Sequence, residues 1–211
     1  MKYNFIVIEG NIGVGKTTLV KKIAEQFNAK LILEQFADNP FLPKFYNDKE
    51  RYSFPLEMSF LADRYNQLKK DLSNRDLFKT FTIADYYFMK SLIFSKNTLQ
   101  DDEYNLYRQI FNIIYNSLPR PDLYVFLHSK TDNLIKNIKK RGRDYEQNIN
   151  KEYLEKIQKG YFDFFRQQSD LKILVIDTNN INFVEKDNDY NAVVNLIFNK
   201  DYKLGINREI L

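Results

Sequence analysis

One run near the start of the chain constrains it more than any other feature: Gly10-Asn11-Ile12-Gly13-Val14-Gly15-Lys16-Thr17. It matches the pattern G-x-x-x-x-G-K-[ST] in full. An apolar, strand-like run, Phe5-Ile6-Val7-Ile8, precedes it, and a helical pattern over 17–27 follows. Strand, glycine turn and helix in that order form a cradle for phosphate. The glycines let the backbone curl so that successive N–H groups point at phosphate oxygens. The helix adds the positive end of its dipole. Lys16 supplies a mobile cation for the β- and γ-phosphates, Thr17 offers a hydroxyl to magnesium, and Thr18 continues the first turn. The ligands this run predicts are ATP and Mg2+. By average residue frequencies such a match arises by chance in roughly 1% of chains of this length.

Four further β-leaning runs follow: Leu31-Ile32-Leu33, a weaker one over 78–83, Leu123-Tyr124-Val125-Phe126-Leu127 and Ile173-Leu174-Val175-Ile176. Helical patterns lie between them, over 54–72, 85–99, 103–118, 130–140 and 150–168. Thr131 and Asp132 offer themselves as N-caps of the fifth helix. Strands alternating with helices predict an α/β fold, a five-stranded parallel sheet with helices on both faces. No composition shift marks a boundary, so residues 1–211 read as a single domain. The Asn- and Asp-rich stretch 177–191 reads as a loop with a weak helix after it.

Taken in order, several runs resemble the deoxynucleoside kinase family, of the short bacterial type. They are Gly10-Asn11-Ile12-Gly13, Leu33-Glu34, Asn39-Pro40-Phe41 with Phe45-Tyr46, residues 54–64, and Arg141-Gly142-Arg143 followed by Glu146-Gln147. The resemblance covers residues 10–177 and implies a P-loop kinase fold with a small arginine-containing lid. It implies transfer of the γ-phosphate of ATP to the 5′-hydroxyl of a deoxynucleoside.

Glu34 ends the second strand in this reading, where a parallel sheet opens its ligand crevice. The resemblance makes it the catalytic base for the 5′-hydroxyl. It makes Tyr46 and Glu146 the holders of the 3′-hydroxyl. Glu57 and Arg64, seven apart on one helix face, fall on the family's base-reading positions, where a glutamine usually replaces Glu57. A carboxylate accepts where an amide both donates and accepts. Glu57 could take a hydrogen bond from an adenine or cytosine amine, from guanine N1–H and N2–H, or from thymine N3–H. Arg64 could hold Glu57 or donate to a ring nitrogen. Phe94 falls on the base-stacking position, and Lys90 falls where the family often has an aspartate. Deoxyadenosine is the first substrate guess. The family's acid-Arg-Ser triplet after the third strand reads Ala84-Asp85-Tyr86-Tyr87 here. Asp85 can supply the acid for magnesium, but the arginine is missing, and Lys90 is a candidate replacement. Arg141 and Arg143 form the lid that closes on the transferring group, with Asn137 standing where a further arginine is usual.

Composition sets outer bounds. The chain has no Cys, which excludes a disulfide framework and thiol chemistry. A net charge of +4 is too mild to argue for nucleic acid. No run is long enough to suggest a membrane span, and no signal-peptide pattern is visible, so a cytoplasmic protein without nucleic-acid or membrane partners is expected. The single histidine, His128, has no partner at metal or triad spacing and reads as structural. The family resemblance implies a homodimer. The rival readings are a nucleoside-monophosphate kinase of the thymidylate type and a non-kinase P-loop switch.

Overall fold

The computed structural model describes residues 2–35, 39–73, 76–143, 146 and 149–211, apart from the side chain of Tyr46. The chain clusters into two compact units. The first, Met1–Ile32 with Leu77–Asp85 and Pro121–Leu211, holds the sheet. The second, Leu33–Asp76 with Tyr86–Arg120, is helical.

The sheet unit contains β1 (Phe5–Gly10), α1 (Lys16–Gln26), β2 (Lys30–Ile32), β3 (Thr82–Ala84), β4 (Leu123–His128), α6 (Thr131–Arg141), α7 (Lys151–Arg166), β5 (Lys172–Asp177), α8 (Asp187–Asn199) and β6 (Gly205–Ile210). The helical unit contains α2 (Leu42–Asn47), α3 (Lys49–Ser73), α4 (Met89–Thr98) and α5 (Asp101–Tyr115). The strands pair in the order β2-β3-β1-β4-β5-β6, all in parallel.

β1 is buried along its whole length, as a central parallel strand flanked on both sides must be. From β1 the chain crosses through α1 toward β2, whereas from β4 it crosses through α6 and α7 toward β5. Right-handed crossovers in opposite directions put these helices on opposite faces of the sheet. The order reverses at β1, so the crevice outside its carboxyl end is the place where such a sheet binds ligand. The loop 10–17 leaves β1 at that end. Phe126 of β4 anchors the packing of α7, with ring centroids 4.9 Å from Tyr161 and 5.3 Å from Phe165. On the helical side, Phe88 stacks on Phe111 at 4.9 Å.

The sheet has six strands, one more than the sequence predicts. β6 reads Gly-Ile-Asn-Arg-Glu-Ile and alternates half-buried with exposed residues. It lies at the edge of the sheet against β5; its half-buried positions are Gly205, Asn207 and Glu209 while Ile206 and Ile210 are exposed, so no continuous apolar run marks it. The helix expected from Asp85 starts at Met89, because Ala84 ends β3 and Tyr86 and Tyr87 are wholly buried in the turn that follows. Residues 187–199 form a well-packed helix rather than a weak one, with Tyr190, Val193, Val194, Leu196 and Ile197 buried. Lys130, and neither Thr131 nor Asp132, is the N-cap of α6; its backbone N–H donates to Asn179 Oδ1 at 2.7 Å instead of using a side-chain cap. Among the described residues no helix is long and apolar enough to cross a membrane.

Candidate active site

The loop 10–17 is built as its sequence requires. Gly13 and Gly15 have φ of 85° and 95°, which only glycine adopts without strain. A Cβ at Gly13 would stand 2.8 Å from the Leu134 carbonyl oxygen, so the loop runs directly against α6. Gly15 is the N-cap of α1, with no side-chain cap and no acidic residue in the first turn. The first N–H groups of α1 are therefore left for an anion. Lys16 Nζ donates to the carbonyls of Gly10 and Asn11 at 2.8 and 2.9 Å, which folds its ammonium back over the loop. Asn11 is buried, and its amide donates to the Leu154 carbonyl at 2.7 Å, tying the loop to α7. Ile12 and Val14 complete the turn, Val14 N–H reaching the Asn11 carbonyl at 3.4 Å. Thr17 and Thr18 are exposed. Asn137, at a usual arginine position, donates to the Gly13 carbonyl at 2.9 Å and so steadies the loop.

Thr17 Oγ1 donates to Asp85 Oδ2 at 2.6 Å. Asp85 is buried at the end of β3, where its N–H is bonded to the Ile32 carbonyl at 3.1 Å. A hydroxyl and a carboxylate side by side are hard oxygen donors of the kind Mg2+ takes, with few protein ligands and the rest water or phosphate. The residues fit that ion.

At the C-terminal end of α6, Gly142 adopts φ of 72° and turns the chain. Arg141 and Arg143 both pair with Glu146, the latter through Nη1 at 3.3 Å. Glu146 is buried while the arginines stay partly exposed, so the three side chains form one connected group. Residues 144–145 and 147–148 lie outside the described residues, as does the Tyr46 side chain; Tyr46 itself is on α2. Glu9, unassigned in the sequence reading, is fully buried just before the loop and accepts from the Tyr161 hydroxyl at 2.9 Å. His128 sits 3.5 Å from Asp177 and 3.1 Å from Gln158, in a polar contact joining β4, β5 and α7.

The helical unit brings together Glu34, Glu57, Arg64, Lys90 and Phe94. Glu34 lies two residues past β2 rather than within it. Its Oε1 accepts from Arg64 Nε at 3.1 Å and Nη2 at 2.8 Å, and its Oε2 pairs with the Lys90 ammonium. Burial alone would raise the Glu34 pKa. Lys90 and Arg64 outweigh it and hold the carboxyl down to about 2. Lys90 therefore stands on Glu34, with its Nζ 5.2 Å from the Phe94 ring centroid. Tyr86 and Tyr87, which occupy that arginine's part of the sequence, are core residues bonded to Gln67 and to the Pro119 carbonyl.

Arg64 spends its third group on Ser91, Nη1 to Oγ at 2.9 Å. It thus holds Glu34, a partner the sequence did not suggest for it; the sequence left it to hold Glu57 or to donate to a ring nitrogen. Glu57 is 5% exposed, and its Oε2 has no hydrogen-bond partner among the described residues. Burial pushes its carboxyl up to about 7 against the counter-pull of Arg64 and Thr98. Tyr107 of α5, a position the sequence did not single out, is fully buried beside Glu57, its hydroxyl 3.5 Å from the Glu57 carbonyl. Its signal was faint because an isolated tyrosine on a helical stripe reads as core.

A model of the deoxynucleoside kinase family matches residues 6–201. The deoxyguanosine kinase of Bacillus subtilis is 36% identical over 194 residues, covering 90% of this chain and 93% of that one. The deoxyadenosine/deoxycytidine kinase of the same organism is 27% identical over 205 residues, covering 93% and 91%. The solved deoxyadenosine kinase of M. mycoides with dCMP and dCDP bound is similar with a TM-score of 0.78 at 26% identity, covering 93% of this chain and all of that one. These matches set aside the monophosphate-kinase and switch readings of the phosphate loop. Matched along nearly its whole length, the chain belongs to the deoxynucleoside kinase family, enzymes that phosphorylate deoxynucleosides.

Proposed function

We propose that the protein transfers the γ-phosphate of ATP to the 5′-hydroxyl of purine deoxynucleosides, deoxyadenosine and deoxyguanosine, with the two units working as one kinase domain. The observation that carries the residue assignment is the setting of Glu34. Its strand, β2, runs parallel to β1, so the chain leaves at the carboxyl edge where the phosphate loop also begins. Two residues later comes a carboxylate already ionised and held by two cations.

The loop amides and Lys16 bind the triphosphate. Thr17 and Asp85 would hold Mg2+, which when bound neutralises charge on the phosphate oxygens. Glu34 accepts the hydrogen bond of the 5′-hydroxyl and takes its proton late, as a loose transition state with little early proton transfer requires. A carboxyl of such low pKa works by orientation more than by basicity, which is why its two cations matter. Arg141 and Arg143 exchange Glu146 for the oxygens of the moving phosphoryl group. Tyr46 and Glu146 hold the 3′-hydroxyl; Glu57 and Phe94 hold the base, with Lys90 and Arg64 positioning Glu34. A cytoplasmic homodimer acting on small molecules, with neither nucleic acid nor membrane as partner, completes the reading.

Glu34→Gln tests it. The amide keeps the shape and loses the charge, and kcat should fall by about 10²–10⁴ while ATP affinity holds. Turnover at the wild-type rate would remove Glu34 from the chemistry.

A further inference from the structure

Glu57 is a buried carboxyl group that the fold leaves incomplete. It lies on α3, 95% out of water by its 5% exposure, with Oε2 unbonded among the described residues. The neighbours that could fix its proton are accounted for. Arg64, on the same helix, is spent on Glu34 and Ser91. Lys90 of α4 is paired with Glu34. Thr98 of α4 donates its hydroxyl to the Phe94 carbonyl at 3.0 Å and offsets only part of the effect of burial on Glu57. Tyr107 of α5 faces it as a neutral phenol, its own pKa raised by burial and by Glu57. A natural family glutamine would present one donor and one acceptor; a carboxyl group presents that pair only when neutral.

We infer that the proton on Glu57 selects the base: neutral Glu57 reads adenine, and ionised Glu57 reads guanine. The inference rests on the kinase reading above and refines its acceptor site. A neutral carboxyl donates O–H to adenine N1 and accepts from the N6 amine. An ionised carboxylate turns a lone pair toward adenine N1 and repels it, yet accepts both N1–H and N2–H of guanine. Burial places the exchange of the two forms near pH 7, where both occur together. Relatives named for guanine and for adenine substrates bracket the same choice.

The test is kcat/KM for deoxyadenosine and for deoxyguanosine across about pH 6 to 8, a ratio that reports the free enzyme. The ratio should fall about tenfold per pH unit, and Glu57→Gln should make it flat. A flat ratio in the wild type, or an unchanged slope in Glu57→Gln, overturns the inference while leaving the kinase reading intact. Failure to phosphorylate either nucleoside at any pH overturns the kinase reading instead. Calorimetry of the wild-type protein in buffers of different ionisation enthalpy needs no variant. Deoxyadenosine should bind near pH 7 with proton uptake and deoxyguanosine with proton release; equal proton counts for both overturn the inference.

Discussion

Glu34 and Glu57 belong to the same helical unit, and both are largely withdrawn from water, yet their surroundings drive them in opposite directions. Glu34 has a guanidinium on one oxygen and an ammonium on the other, and it stays ionised down to about pH 2. Glu57 has an unbonded oxygen among the described residues, and burial pushes it up to about 7. Arg64 lies between these two outcomes. It forms hydrogen bonds with Glu34 and acts on Glu57 only through space. One cation, placed to bond one carboxyl and miss the other, separates a charged group suited to orienting a hydroxyl from a proton-exchanging group suited to reading a base.

Removing that cation should have the largest effect. Arg64→Met leaves Glu34 with Lys90 alone and should destabilise the fold by about 3 kcal/mol or more, measured by urea denaturation at pH 7. A loss within experimental error would mean that Lys90 suffices. Lys90→Met is the second break, read in the pH profile of activity. Losing the larger of the two attractions lets burial raise the Glu34 pKa, so the acid limb of kcat/KM should move to higher pH. A limb displaced upward by one pH unit lowers kcat/KM about tenfold at any pH below it. An unmoved acid limb would show that Lys90 does not act on Glu34.

The smallest effect concerns stability alone, and there the two carboxyls have opposite signs. The Glu34 pKa is lowered from 4.5 by folding, so its contribution is present above pH 4.5 and lost as pH falls toward 2. The Glu57 pKa is raised from 4.5, so its contribution is full below pH 4.5 and lost as pH rises through about 7. Glu57→Gln should therefore gain on the wild type as pH rises from about 5 to 8, by about 1–3 kcal/mol. Thermal melts across that range check it, and a constant difference would place Glu57 in water.

The phosphate loop was legible because its physics is local. Gly13, Gly15 and Lys16 act on backbone within a few residues of themselves, and a contiguous pattern records that. Glu34 was legible as a strand-end acid, within two residues of its place. What clamps it was legible only in part: Arg64 is 30 positions away and Lys90 is 56, and tertiary folding brings such charges together. The sequence reading suggested Lys90 as the cation to take over the charge-stabilising and Glu-orienting work of the missing arginine; it gave Arg64 no part in that. β6 went unread because a half-exposed edge strand such as Ile206-Asn207-Arg208 shows no apolar run. The orphaned oxygen of Glu57 also lay beyond sequence, since the missing partner, Arg64, is the residue whose spacing suggested a pair.

The most direct measurement is incubation of the purified protein with MgATP and each of the four deoxynucleosides, scored by 5′-monophosphate and ADP. Monophosphate from deoxyadenosine and deoxyguanosine, one ADP for each, is the predicted result. ADP without any nucleoside monophosphate, or no reaction with all four, would contradict it.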